Sequence, residues 1–220
     1  LLDIFYSKDS LQKTRGIVKG KKHTLPEFAA MTADLDNGVG SLIKQIDKLG
    51  IAEKTYIFFL SDNGGRLTMP GQKNKKISRN HPLRDGKGSM YEGGLRVPFI
   101  AVGPNIKPGS ICRKPVTGLD LFPTMADLAS YSLELPNNLD GGSLKNLLQN
   151  QGRGNIQRIN PFLIFHQAVA RKAQTSLRLG DFKLIKTWDG NQLELFNMSK
   201  SLSEKNNIAK KLPSKTDELH

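Results

Sequence analysis

The run Tyr56-Ile57-Phe58-Phe59-Leu60 and the residues that follow it, Ser61-Asp62-Asn63-Gly64-Gly65, constrain this chain more than any other segment. An apolar stretch of aromatic and aliphatic residues without alternation is what a strand buried on both faces requires, and a polar, glycine-rich exit calls for a sharp turn. The residues ahead of it predict the layer on which such a strand packs. Thr24-Leu25-Pro26-Glu27 has the form of a capping box with Pro26 in the first turn, and Phe28, Met31, Leu35, Val39, Leu42, Ile46 and Leu49 then recur at spacings of three and four. That pattern is one helical face, and Gly50 is placed to end it. Helix, short connection and strand form an α-to-β unit of a layered fold.

A second strand is expected from Val97 to Val102, after a polar, Gly-rich stretch of about 30 residues, longer than connections in compact domains run unless they carry function. Asp120 is a plausible N-cap for a short helix through Ala129, and Leu144 to Leu148 reads as another helical piece. Gln149 to Asn160 reads as a polar linker, dividing a first unit, residues 1–150, from a second, 151–220. In the second unit Thr175 to Leu179 and Phe182 to Lys186 flank Gly180-Asp181, a two-residue hairpin turn with Gly first, and Leu193 to Phe196 returns after Asp189-Gly190-Asn191. The Lys- and Asn-rich end from Ser199 is poor in apolar residues and reads as a solvated helix or tail. The expected class is α/β: a layered sheet followed by a small antiparallel-sheet α+β subdomain.

At 220 residues and 37% apolar content the chain suits a globular fold, and its longest apolar runs are far short of the ~20 residues of a spanning helix. No membrane span is expected. The chain begins at Leu1 with no leader pattern, which says nothing about a signal peptide. A net charge of +13 favours an anionic partner such as an acidic polysaccharide or a small anionic substrate. Nucleic acid is disfavoured, because the basic residues of Lys19 to Lys22, Lys73 to Lys76 and Lys210 to Lys215 lie in polar, loop-like segments without interleaved aromatics. The single cysteine, Cys112, excludes an internal disulfide and a Cys-based zinc site, and it has no base beside it. The oligomeric state is not legible.

Asp62 and Asn63 offer a carboxylate and an amide oxygen at the C-terminal end of a strand, where open α/β sheets place their ligands. Such donors suit Ca²⁺ or Mg²⁺ rather than zinc, with Gly64 and Gly65 letting the chain turn so that neighbouring side chains converge. The same tetrapeptide is also what an ordinary tight turn looks like. A second motif lies in Pro82-Leu83-Arg84-Asp85-Gly86-Lys87-Gly88-Ser89-Met90-Tyr91-Glu92-Gly93-Gly94-Leu95-Arg96-Val97-Pro98. Lys87, between two glycines, is a flexible point charge suited to a tetrahedral oxyanion beside a divalent cation, or else a solvated surface lysine. Salt bridges to Glu92 or Asp85 are the alternatives for Arg84 and Arg96, and Tyr91 and Glu92 are read as fixing the loop rather than reacting.

Together these segments resemble the sulfatases of the alkaline phosphatase superfamily. Asp62-Asn63-Gly64 is similar to their metal-binding Asp-Asn-Gly, and Gly86 to Gly94 with Arg96-Val97-Pro98 is similar to their Gly-Lys-Gly-x-x-Tyr-Glu-Gly-Gly-x-Arg-x-Pro. Met31 to Gly40 resembles the helix before the metal strand, and Leu119 to Thr124 the Ile-Asp-Leu-Phe-Pro-Thr stretch. Arg178 to Lys186 and Leu193 to Ala209 resemble the closing Arg-x-Gly-Asp-x-Lys-Leu and Glu-Leu-Tyr-Asn-Leu pieces. From about Met31 to Ala209 the order agrees.

The resemblance implies an alkaline-phosphatase-like α/β fold and hydrolysis of a sulfate ester by a formylglycine made from Cys or Ser in a Cys/Ser-x-Pro-x-Arg motif and bound to Ca²⁺. It implies Asp62 and Asn63 as metal ligands, Lys87 as a sulfate contact, and a sulfated small molecule or polysaccharide as substrate. It also implies an extracytoplasmic location. The nucleophile motif is absent: Cys112-Arg113-Lys114-Pro115 has proline three residues on and no arginine after it. The formylglycine is therefore expected upstream, no catalytic residue is assigned here, and the chain resembles the C-terminal portion of a sulfatase that is inactive alone. A phosphoesterase of the same superfamily and a noncatalytic anion-binding module are the alternatives.

Overall fold

The computed structural model describes residues 6–17, 25–69, 72–76, 79–168 and 172–220. Thr24, the expected N-cap, lies outside them. Helix α1, Lys8–Arg15, is capped by Ser7, whose Oγ accepts from Ser10 N at 3.1 Å, and it packs against α2, Pro26–Lys48. The hydroxyls of Ser7 and Ser10 both donate to Asp34 of α2. As expected, Pro26 opens α2 and Gly50 follows its end with φ +66°.

Contacts divide the chain into two compact units, residues 1–48, 60–98 and 162–220 in one and 49–59 and 99–161 in the other. The second unit holds most of strand β1, Ile57–Leu60, which is hydrogen-bonded to β4, Phe99–Val102, with the Phe58 and Phe99 rings stacked 6.1 Å apart. Burial on both faces is not observed. Ile100 and Val102 are 56% and 55% exposed, since among the described residues this sheet has only two strands and nothing covers that face. Three positions on the predicted apolar stripe of the long helix, Leu35, Leu42 and Leu49, are exposed as well. Apolar periodicity reports what a segment is built to bury, whether or not its cover is present.

The second unit is held by a buried polar hub. Asp120, 0% exposed, accepts from Thr117 N at 2.7 Å, Gly142 N at 3.0 Å, and Arg158 Nε and Nη2 at 2.8 and 2.6 Å. It precedes α4, Leu121–Leu128, as expected, yet its carboxylate turns back to Thr117 and outward to Arg158 instead of capping α4. Thr124 of α4 accepts from Leu144 N at 2.8 Å, at the start of α5, Lys145–Gln149. Burial opposes ionisation of Asp120, but the Arg158 guanidinium and two amides outweigh it and hold the carboxyl below its ordinary value. A carboxylate of this kind contributes stability above the unfolded pKa of about 3.9, and that contribution is lost as pH falls through the lower folded value. Asp120→Asn should therefore destabilise the protein at pH 7 and flatten the fall in its urea midpoint below pH 4, a flattening absent if Asp120 is not a stabilising ion.

In the first unit, the stretch between the Asp62 turn and β4 contains a hairpin that was not expected: β2, Thr68–Met69, pairs antiparallel with β3, Gln72–Lys76. The lysine-rich segment read as loop is thus partly strand. Further on, Glu92–Leu95 forms the one-turn helix α3. Four antiparallel strands follow in the order β5-β6-β7-β8: Leu163–Gln167, Gln174–Leu179, Phe182–Thr187 and Gln192–Asn197. Both expected hairpins are present, with Leu179 opposite Phe182 and Gly180 at φ +55°, whereas β5 was not anticipated.

The register sorts side chains onto two faces. One carries Leu177, Leu184 and Leu195 and is closed by Leu219 of α6, Pro213–Leu219, with Ile208 and Ala209. The other carries Phe165, Ile185 and Phe196, which enclose Met90 and Met198 with Tyr91 and Leu95. The tail from Ser199 is accordingly not a solvated appendage. Ile208 N donates to Leu195 O at 2.8 Å, Asn207 Oδ1 accepts from Leu195 N at 3.0 Å, and Glu204 is 1% exposed. A few anchors seat this stretch despite its polar composition.

Candidate functional site

The Asp62 turn and the Lys87 loop meet through their backbones. Gly64 N donates to Gly94 O at 2.9 Å and Lys87 N to Gly65 O at 3.2 Å, while Gly93 N, bonded to Arg84 O at 2.8 Å, closes the Lys87 loop on itself. Asn80 Nδ2 ties both segments together by donating to Gly65 O at 2.8 Å and Asp85 O at 2.9 Å. The glycines make this interlock possible. A Cβ on Gly64 would stand 1.7 Å from Gly93 O, one on Gly86 2.4 Å from Gly65 O, one on Gly93 2.1 Å from Asp85 O, and one on Gly94 2.1 Å from Ser89 O. None of these four has a positive φ, and their role is close backbone packing; Gly88, at φ +83°, uses the left-handed freedom of glycine.

Asp62 and Lys87 are exposed, and among the described residues neither the carboxylate nor the ammonium makes a hydrogen bond or ion pair. Asn63 is half-buried, its Nδ2 donating to Gly64 O at 3.2 Å, while Ser61 Oγ donates to Asn63 O at 2.8 Å. The donor set suits a hard divalent cation: a free carboxylate and an amide side chain on adjacent residues. Two residues supply only part of the six to eight oxygens that Ca²⁺ takes, roughly a third of the shell at most when each gives one. Among the described residues no group of three or more His, Cys, Asp or Glu is placed to hold a metal ion. Cys112 is exposed and lies in the other unit.

Behind the loop lies a charge cluster that sequence reasoning missed. Lys183 of β7, 1% exposed, donates from Nζ to Glu92 Oε1 and to Glu204 Oε1, both at 2.8 Å, and Glu204 Oε2 accepts from Glu92 N at 2.6 Å. Burial raises the Glu204 carboxyl, and Lys183 offsets this only in part. Burial also opposes ionisation of Glu92, but there Lys183 prevails and the carboxyl stays below its ordinary value. Arg96 reaches Glu92 at 3.5 Å, one of the two pairings expected for it. Arg84 goes elsewhere: it lies 3.7 Å over the Tyr91 ring, contacts Glu194 at 3.4 Å and donates to Glu204 O at 3.0 Å. Tyr91 donates its hydroxyl to Glu194, and burial with that carboxylate holds the phenol protonated well above its ordinary range. Tyr91 and Glu92 thus fix the loop, as expected. Gln167 of β5 adds a bond from Nε2 to Gly88 O at 3.2 Å, beside Lys87 itself.

A visible signal existed for part of this. Lys183 occupies an inward position of a strand between Phe182 and Leu184 and on the same face as Ile185, where a charge needs a partner. Glu204, in a polar stretch without periodicity, offered none.

The sulfatase family model matches residues 4–131, and the model for the C-terminal part of N-sulphoglucosamine sulphohydrolase matches residues 80–219. A sulfatase of Formosa agariphila is 32% identical over 212 residues, covering 88% of this chain and 37% of that protein. Mouse steryl-sulfatase is 36% identical over 135 residues, 60% of this chain and 21% of that protein. Among solved structures, Ps i-CgsB in complex with k-i-k-neocarrahexaose superposes with a TM-score of 0.78 at 29% identity, over 98% of this chain and 45% of that one. The chain therefore spans less than half the length of these relatives, 21–45% of each. Two overlapping family models, the agreement in order and the interlocked Asp62 and Lys87 segments lead to one conclusion: this chain belongs to the sulfatase family of the alkaline phosphatase superfamily, with its α/β fold.

Proposed function

We propose that this chain forms the C-terminal portion of a sulfatase that hydrolyses sulfate esters, and that it contributes half of the active site. The observation that carries this reading is the backbone interlock that sets Lys87 beside the Asp62-Asn63 turn, with the carboxylate and ammonium both open to solvent. Asp62 and Asn63 would hold a divalent cation, Ca²⁺ in preference to Mg²⁺, by their side-chain oxygens. A bound cation of this kind neutralises charge on the ester's oxygens and on the nucleophile. Lys87 places an ammonium on the sulfate group, where charge builds toward the leaving alcohol, and the glycine-packed loop orients it before substrate arrives. A formylglycine nucleophile and the remaining metal ligands belong to the rest of the polypeptide; Cys112, exposed and outside the Cys/Ser-x-Pro-x-Arg pattern, does not supply the nucleophile. The exposed faces carrying Leu35, Leu42, Ile100 and Val102 fit burial by that missing part.

The positive charge, with relatives that include a structure bound to a carrageenan-type oligosaccharide, supports a sulfated carbohydrate as substrate, and an extracytoplasmic setting rests on the family resemblance alone. Sequencing upstream of Leu1 tests the reading first: Cys or Ser in the five-residue motif supports it, and its absence from the gene defeats it. In the complete protein, Lys87→Ala should lower kcat/KM on an aryl sulfate about 100-fold. Asp62→Ala should raise the Ca²⁺ concentration needed for half-maximal turnover. Unchanged kinetics in both variants would remove the site assignment.

A further inference from the structure

We propose that Lys183, together with Glu204, is a positioning residue for the half-site: through Glu92 it sets the register between the Asp62-Asn63 turn and the Lys87 loop. The role rests on reading those segments as the metal and sulfate half-site. The path is short and continuous. Lys183 Nζ bonds Glu92 Oε1 at 2.8 Å, and Glu204 holds the same residue by its backbone, accepting from Glu92 N at 2.6 Å. Glu92 begins α3, whose next two residues are the glycines against which the Asp62 turn packs, with Gly94 O accepting from Gly64 N at 2.9 Å and Gly93 N donating to Arg84 O at 2.8 Å. Movement of Glu92 thus moves both halves at once.

The chemistry of the cluster favours register over bulk stability. Two carboxylates and one ammonium are buried where three apolar side chains of similar volume would avoid desolvation, and the adjoining Met90, Ile185 and Phe196 show that the site tolerates apolar packing. What an apolar trio would lack is direction. Lys183 points at two oxygens at fixed distances, and Glu204 uses its remaining oxygen on one backbone N–H, so a shift of α3 along the sheet breaks bonds instead of sliding over methyl groups. Arg84, which donates to Glu204 O at 3.0 Å, and Gln167, which donates to Gly88 O at 3.2 Å, anchor the other end of the loop to the same structure. Lys183 is too deeply buried to touch a substrate, so its influence passes through the loop.

Amide NMR shifts of these residues in the complete protein, with and without millimolar CaCl₂, provide the test. In Lys183→Met the amide shifts of Gly64 and Lys87, which bond across the interlock, should move, while those of sheet residues remote from position 183 stay in place, because lost stability alone leaves folded-state shifts unchanged. Glu204→Gln gives a second reading if that variant does not fold, because its amide NH₂ must face either Lys183 Nζ or Glu92 N–H. The Ca²⁺-induced shifts of the Asp62 and Asn63 amides should shrink in parallel. Unmoved Gly64 and Lys87 shifts in a folded variant would overturn the proposal, since a merely stabilising cluster changes how often the chain unfolds and not where the folded loop sits. Selective loop shifts in Lys183→Met with no Ca²⁺ response even in the complete wild-type protein would instead overturn the half-site reading, and the positioning role with it, leaving only a loop anchor.

Discussion

Replacing Lys183 by Met should lower the free energy of unfolding by about 3–5 kcal/mol, the cost of removing one partner from a buried ion cluster. The stem of the side chain survives as apolar volume, so the loss reports charge rather than a cavity. Glu92 and Glu204 would be left facing the vacated position at 8% and 1% exposure, with Arg96 on Glu92 at 3.5 Å, Arg84 only on the Glu204 carbonyl, and the Arg178 guanidinium still attracting both carboxylates electrostatically. The deficit should depend on pH, and its sign follows from linkage. Burial already raises the Glu204 carboxyl, and losing Lys183 would raise it further above its unfolded value of about 4.3. A group whose folded pKa exceeds its unfolded one gains stability as pH falls through the folded value, so the variant should recover part of its loss on mild acidification. Urea unfolding at pH 7 and pH 5, with the slope checked for constancy, measures both effects. A loss below about 1 kcal/mol at pH 7 would show that the cluster is solvated or repaired.

Gly64→Ala should be nearly as damaging, at about 3 kcal/mol, for a reason unrelated to charge. The added Cβ would lie 1.7 Å from Gly93 O, 2.7 Å from its carbon and 2.9 Å from Gly94 Cα. All three are main-chain atoms, so no side chain can swing away. Relief requires the turn and α3 to separate, which breaks the bond from Gly64 N to Gly94 O. The informative control is Gly38→Ala in α2, where a Cβ meets nothing within 4 Å and the substitution should be neutral or stabilising. Similar midpoints for the two variants in thermal melts would mean that the interlock is loose.

The half-site was legible where its signal was local. Asp62-Asn63 and the Lys87 loop are contiguous motifs, and the hairpin at Gly180-Asp181 announces itself by a glycine that adopts φ +55°. Long-range partners were not legible. Glu204 meets Glu92 across more than a hundred residues, and nothing in the polar stretch around it distinguishes a buried carboxylate from a solvated one. The lysine-rich β3 was missed because its composition outweighed any strand pattern, and β5 because a short apolar run has no distinctive period. The packing role of Gly64 was not legible for a related reason: sequence shows that a side chain is missing, but not that the Gly93 carbonyl stands where it would be.

The seating of Glu204 also bears on how genes of this kind are judged intact. A stop codon or frameshift just ahead of Glu204 would spare Asp62, Asn63, Lys87, Glu92 and Lys183, and a search for motifs would pass the product as whole. Yet it would remove the carboxylate that holds Glu92 N and shares Lys183, along with Ile208 and Leu219, which close the far face of the sheet. Such an allele should behave as a null although every signature residue is still encoded.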